Sequence, residues 1–146
     1  MGALGLKSTI TTTQEIRRDA DGTSWMQIVA HGDLTAKTPY MVFPGQTGYV
    51  TAAISGAMYG FIGVPQYAVD SGDTEWVQIG GRVDDMVTAS ITTAAGQAVT
   101  MTTAAVAAVG AAFSGLVGQF AVATETSTSA TTHDFFLIGE KVLTVA

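Results

Sequence analysis

Phe61-Ile62-Gly63-Val64-Pro65-Gln66-Tyr67-Ala68-Val69, then Asp70-Ser71-Gly72-Asp73, then Thr74-Glu75-Trp76-Val77-Gln78-Ile79 is the stretch on which the fold turns. Two runs rich in β-branched and aromatic residues flank four turn formers, the pattern of two antiparallel strands and their connection. Residues 74–79 are the clearest strand of the chain. Pro65 has no N–H to give to a ladder, which assigns the first run to a sheet edge or a bulge.

The same pattern extends towards the N-terminus. Gly48-Tyr49-Val50-Thr51-Ala52 and Thr38-Pro39-Tyr40-Met41-Val42-Phe43 are short strands, the latter stopped by Pro44-Gly45. Trp25, Gln27, Val29 and His31 alternate with Met26, Ile28 and Ala30, a period of two that predicts a strand ending at His31-Gly32-Asp33. Short strands spaced by about 8–12 residues, with Gly-bearing turns, predict a mainly β chain. The expected architecture is a small β-barrel or sandwich-like single domain over residues 23–146. Residues 1–22 read as an extended N-terminal arm or, equally, a frayed terminus. Ser8, Thr9, Ile10, Thr11, Thr12, Thr13 and Gln14 have little to bury, and Arg17-Arg18-Asp19-Ala20-Asp21-Gly22 adds charge and an Asp-Gly turn.

Towards the C-terminus the pattern blurs. In residues 102–115, Ala104, Ala105, Ala107, Ala108, Ala111 and Ala112 favour a helix, whereas Val106, Val109, Gly110 and Gly115 favour strands and turns. A single helical turn is expected there, and at most one short helix in the whole chain. A weak two-unit repeat relates residues 61–83 to residues 116–142. Glu75-Trp76-Val77-Gln78-Ile79-Gly80 matches Asp134-Phe135-Phe136-Leu137-Ile138-Gly139, and the extra residues fall in 124–132, read as a longer loop.

Composition narrows the function classes. A chain of 146 residues and 15.0 kDa is one domain's worth and buries about two-thirds of its extended surface. With no Cys there is no disulfide, thiolate zinc site or iron–sulfur cluster. Twelve acidic against six basic residues give a net charge of −6, which argues against nucleic acid as a partner. Residues 86–124 carry no charge, but Thr, Ser, Gly and Gln recur too often for a membrane span. Residues 1–7 lack the basic and apolar regions of a signal peptide. Charged residues make up 12% of the chain, about half the ~25% of ordinary soluble domains. Such a surface suits a subunit covered by other protein.

Candidate chemistry is sparse. There are two histidines, His31 and His133, and no Gly-x-Ser-x-Gly, phosphate-binding loop or His-Glu-x-x-His. His31-Gly32-Asp33 and His133-Asp134 put a carboxylate beside each imidazole, at strand ends where such side chains satisfy turn backbone. Asp70, Asp73 and Glu75, and Asp84-Asp85, could offer oxygens to a hard cation. Their spacing does not fit an EF-hand loop, and they read as solvated turn carboxylates. Tyr40, Tyr49, Tyr59, Trp76 and Phe135-Phe136 read as core or subunit interface. No enzyme activity, metal or cofactor is expected.

Two stretches carry a family resemblance. Gly32-Asp33-Leu34-Thr35-Ala36, with Thr38-Pro39-Tyr40, and the run 61–73 followed by Trp76-Val77-Gln78-Ile79-Gly80-Gly81 are similar to segments of tailed-bacteriophage capsid decoration, or head cement, proteins. The resemblance spans about residues 25–142 and leaves the arm unmatched. It implies a β-barrel-like module of the virion, made in the host cytoplasm and bound to the outer surface of the matured capsid. There it would bridge major capsid subunits, commonly as a homotrimer at local threefold positions, with no catalytic residues. The apolar fraction of 47% also invites self-association. The β-branched arm, Ser8 to Gln14, is expected to contact the shell by adding a strand to a neighbouring subunit. A phage tail or baseplate structural protein remains open, as does a small β-barrel binding module or hydrolase using His31 or His133.

Overall fold

The computed structural model describes residues 16–43, 49–51, 58–101, 106–112, 119–138 and 143–145; the arm segment 8–14 lies outside them. Alternating apolar side chains produce strands throughout: Ile16–Arg18 (β1), Ser24–Val29 (β2), Tyr40–Phe43 (β3), Tyr49–Thr51 (β4), Met58–Pro65 (β5) and Thr74–Thr93 (β6). Gln97–Met101 (β7), Val106–Ala112 (β8), Gln119–Ala123 (β9), Ser127–Ile138 (β10) and Leu143–Val145 (β11) follow. The chain is mainly β, with no helix among the described residues.

All described pairings are antiparallel, in the order β4-β3-β5-β6-β10-β9-β7-β8, with β1–β2 attached to β6 and β11 to β5. The sheet curls far enough for β8 to lie near β6, yet β8 pairs only with β7 among the described strands. The sheet is therefore open and the domain sandwich-like. Residues 16–22 form the first strand and turn of a hairpin with β2.

β6 is the spine. Its first part pairs with β2 (Trp25↔Gln78, Gln27↔Trp76) and with the end of β5, where Pro65 pairs with Val77 as the last residue of its strand. Its second part pairs with β10 through three register shifts. The change of partner falls at Gly80-Gly81, where a bend lets one strand serve two packed layers. Gly81 has φ +87°, and a Cβ there would meet the Gly22 carbonyl oxygen at 2.9 Å, so the 19–23 turn can close down on it only because it is glycine.

Two clusters of side chains form the interior. One gathers Met26, Ile28, Leu34, Tyr40, Val77 and Ile79, with Ile16 packed against it. The other gathers Met41, Val64, Val83, Met86, Phe120 and Phe135. β3 feeds both, because Met41 and Val42 point to opposite sides. Gly63 keeps that junction tight: a Cβ on it would lie 2.6 Å from Val77 Cγ2 and 2.9 Å from Val42 Cγ2.

Three expectations are corrected. The helical turn expected within 102–115 is instead strand β8 over 106–112. Pairing to β7 outweighs the helix preference of its alanines, a preference worth only tenths of a kcal/mol per residue. The loop expected at 124–132 is a short turn at 124–126, after which Ser127 already belongs to β10. β-Branched Thr residues there line up opposite β6. The strand expected over 61–69 stops at Pro65. Residues 66–73 form an ordered connection fixed by the Leu34↔Val69 bridge.

Candidate functional site

The two stretches that carry the family resemblance meet in space. The Leu34 N–H donates to the Val69 carbonyl at 2.8 Å, and the Val69 N–H returns the bond to Leu34 at 3.0 Å. Asp33 Oδ1 accepts the Ser71 N–H at 3.0 Å, while the Gly72 N–H reaches the Ala30 carbonyl at 2.7 Å. The Lys37 N–H donates to the Pro65 carbonyl at 2.7 Å, and Lys37 Nζ donates to Gln66 Oε1. Tyr40 is buried and its hydroxyl accepts the Thr35 N–H at 2.8 Å. Asp33, Leu34, Thr35, Tyr40, Val69 and Ser71 thus hold these stretches in place. Asp33 caps a turn, Leu34 and Val69 fill the core beneath it, and Tyr67 is left 77% exposed on a firmly held loop.

The histidines do not share a site. His133 is 1% exposed; its Nε2–H donates to the Ala130 carbonyl at 3.0 Å, and its Nδ1 faces Thr93 Oγ1 at 3.3 Å. Its neighbour Asp134 points outward, bound by Arg82 at 2.9 Å and accepting the Asp85 N–H at 3.0 Å. The imidazole and carboxylate of this dipeptide therefore serve opposite faces of β10. His31 is exposed beyond the end of β2, and the adjacent Asp33 is engaged with Ser71.

Carboxylates are likewise dispersed. Glu75 Oε1 accepts the Trp76 N–H at 2.9 Å, and Asp84 accepts from Arg82 Nε at 2.7 Å. Asp84 and Asp85 lie within β6 rather than in a turn, with Asp85 at φ 55° in a bulge. No group of three or more potential metal ligands gathers among the described residues. Tyr40 and Phe135 are buried and Phe136 is half-exposed; the side chains of Tyr49 and Tyr59 lie outside the described residues.

The feature that sequence reading missed is on the face of β1, β2 and β6 opposite Met26, Ile28 and Val77. The register Arg17↔Trp25 and Gln27↔Trp76 puts Arg17, both tryptophans of the chain and Gln27 on one face; Met26, Ile28 and Val77 occupy the other. The Arg17 guanidinium carbon lies 5.5 Å from the Trp25 ring centre and 5.0 Å from that of Trp76, a cation–π contact with each. Arg17 Nε also pairs with Asp19 at 3.0 Å. Trp25 Nε1–H donates to Thr23 Oγ1 at 2.9 Å, and that hydroxyl donates to Asp21 Oδ1 at 2.6 Å. The Thr23 hydroxyl and N–H hold the Asp21 carboxyl below its ordinary range. Beside the rings, Gln78 is buried and fully engaged. Its Nε2 donates to the Gly80 and Arg82 carbonyls, and its Oε1 accepts from Gln66. Gln27 Oε1 is shielded from water with no donor.

The face pairs half-buried aromatic rings with a cation and two amides. In the sequence, Trp25 and Trp76 are 51 residues apart, and both alternating sets of β2 contain apolar residues. Only the strand register brings the two rings together. Compared with family models, with curated proteins and with solved structures, the chain finds no match in any of the three.

Proposed function

We propose that this protein is a structural virion component that binds the outer surface of a tailed-phage capsid and stabilises the expanded head by bridging major capsid subunits. The carrying observation is the interlock of residues 30–40 with residues 65–73. The stretches that resemble decoration proteins are bonded to one another, residue by residue. A pattern produced by composition alone would have no reason to place its members in mutual contact. Here the two stretches form one folding unit, and the functional reading goes from that unit to the capsid by analogy.

On this reading the mechanism is mechanical. A subunit that binds only the expanded shell stabilises it by mass action, about 2.7 kcal/mol per site at 100 times Kd. Many such sites oppose the outward pressure of packaged DNA. The sparse charge of the chain suits a surface largely covered by protein. A homotrimer at local threefold positions repeats the same contacts at equivalent sites. The arm, Ser8 to Gln14, reaches a neighbouring subunit by strand addition.

The test is to mix purified protein with undecorated expanded capsids and measure stoichiometry by co-sedimentation and reconstruction. Saturable binding, with density at local threefolds, is expected. Absence of binding, or attachment to tails alone, overturns the reading. Isolated monomers or twofold dimers on the shell overturn the trimer.

A further inference from the structure

We infer that Asp21-Gly22 is a self-modification site gated by the fold. When the 19–23 turn lifts from Gly81, the Gly22 nitrogen closes on the Asp21 carboxyl carbon, and the isoaspartate that results keeps the turn from reseating. The turn is a one-way latch, whatever the protein binds.

The reaction needs only the two residues and water. The Gly22 nitrogen loses its proton and bonds to Cγ of the protonated carboxyl, whose hydroxyl leaves with that proton as water. The product is a five-membered succinimide. Water then adds to one of its two carbonyls and breaks the ring C–N bond there. One opening restores aspartate; the other gives isoaspartate, in which the main chain runs through the former side chain. One water is lost and one gained, with no oxidant or reductant. Glycine favours the attack because it has no side chain to crowd its nitrogen. Asp21-Gly22 is the single Asp-Gly of the chain, and there is no asparagine to reach a succinimide by losing ammonia.

The folded turn opposes the reaction with hydrogen bonds rather than bulk. Asp21 and Gly22 are both exposed, and a Cβ on Gly22 would meet nothing within 4 Å. The nucleophile is engaged, because the Gly22 N–H donates to the Asp19 carbonyl at 3.1 Å. So is the electrophile, because Asp21 Oδ1 accepts the Thr23 N–H at 3.0 Å and the Thr23 hydroxyl at 2.6 Å. Those two bonds favour the ionised carboxylate, which has no hydroxyl to release. The Asp19 N–H closes the turn on the Thr23 carbonyl at 2.9 Å. A turn held at the surface by so few bonds opens locally without global unfolding.

The latch follows from the fit on β6. A Cβ on Gly81 would meet the Gly22 carbonyl oxygen at 2.9 Å and Thr23 Cα at 3.0 Å, so the turn has no room for the extra main-chain carbon of isoaspartate. The free carboxylate of isoaspartate also hangs directly from Cα, out of its place as acceptor for Thr23, whose Oγ1 holds the Trp25 indole.

The experiment uses the full chain in water enriched in oxygen-18 at neutral pH. Label taken up at Asp21, and isoaspartate there, are followed by peptide mass spectrometry. The samples are the folded parent, the parent unfolded in guanidinium chloride, Thr23→Val and Gly81→Ala, with melting recorded for each. The unfolded parent should label about tenfold faster than the folded one. Each variant, while folded, should label at least about threefold faster than the parent, with uptake at Asp70 unchanged. Gly81→Ala keeps the test valid if Thr23→Val fails to fold, and the reverse. The isolated isoaspartyl form should melt lower than the parent and emit at a shifted tryptophan wavelength. No label at Asp21 even in the unfolded chain would remove the site. Equal rates folded and unfolded, or folded variants that label like the parent, would remove the gate. An isoaspartyl form that melts and emits like the parent would remove the latch.

Discussion

The two halves of β6 are one strand under two regimes. From Thr74 to Ile79 it runs beside β2, and at Val77 and Gln78 it pairs with the end of β5 as well. Its inward side chains enter one core while Trp76 and Gln78 fill the opposite face. From Arg82 to Thr93 it pairs with β10 through repeated register shifts, one face on the second core and the other bare. The first half is defined by side chains on both faces, the second by one face and a backbone ladder. Burial of a face specifies register strongly, and in the first half the only shift falls at the bend, between Ser24 and Trp25. Where one face is Thr, Ser and Ala, bulges are tolerated, as at Asp85 and Ser129, both at positive φ. The regular half carries the fixed Trp–Arg face, and the irregular half serves mainly as scaffold.

The sharpest test of this contrast lies in adjacent residues of β10. Phe135 is fully buried and Phe136 is 51% exposed. Phe135→Ala is expected to cost about 3–5 kcal/mol, from lost burial and the cavity left behind. Phe136→Ala is expected to change stability by no more than about 0.5 kcal/mol. Chemical denaturation of both variants measures the difference. Equal costs would mean that the outer face of the ribbon is packed after all.

Next in size is the hinge between the halves. Gly81→Ala must hold a side chain at φ +87° and push its Cβ against the Gly22 carbonyl, a backbone atom that cannot rotate away. A loss of about 2–3 kcal/mol is expected. Because the displaced turn holds Trp25, the tryptophan emission of the remaining folded protein should shift as well. An unchanged melting temperature would show that the turn does not rest on β6.

The irregular half has a polar pin at its centre. His133→Ala removes the part-buried bond to the Ala130 carbonyl and the buried contact with Thr93 Oγ1, which keeps the Glu125 carbonyl, and is expected to cost about 2 kcal/mol. Capsid attachment of the folded variant should stay within threefold, about 0.6 kcal/mol, and likewise for His31→Ala. A larger loss of attachment with folding intact would give the histidines a role beyond structure.

How far the sequence could be read follows the same division. The two strands around the regular half were legible from their β-branched and aromatic runs, but not where the first one ends: the run 61–69 reads as one strand, whereas Pro65 is its last residue and 66–73 form the connection. The length of β6 was not legible either, because Gly80-Gly81 and Asp84-Asp85 read locally as stops. Tertiary contacts make them a bend and a bulge, Gly81 under the 19–23 turn and Asp85 bound to Asp134. The tract 127–132 looks like a loop from its polarity, yet as half of a ladder its threonines are good strand residues. The Trp25–Arg17–Trp76 face required the pairing register, which depends on residues far apart in the chain. The dipeptides His133-Asp134 and Asp84-Asp85 were not legible: they read as strand-end and turn residues, yet they lie inside β10 and β6, where the buried His133 and the outward Asp134 occupy opposite faces.

The smallest expected effect belongs to the regular half and concerns acid. Asp21 is fully exposed, but its carboxylate accepts from the Thr23 N–H at 3.0 Å and the Thr23 hydroxyl at 2.6 Å. Both bonds favour the ionised form, so the folded-state pKa lies below the ordinary 3.8. The sign follows by linkage. The stabilisation is fully present above 3.8 and is lost as pH falls through the lowered folded value. Since Thr23 Oγ1 also receives Trp25 Nε1–H, protonating Asp21 loosens the partner of that indole. In a Trp76→Phe background only Trp25 emits, and its fluorescence should titrate with a midpoint below 3.8. The transition should vanish in Asp21→Asn, while melting near neutral pH changes little. A midpoint at or above 3.8, or a transition that survives Asp21→Asn, would mean that the Asp21–Thr23 relay does not hold the ring and that the fixed character of this half comes from Arg17 alone.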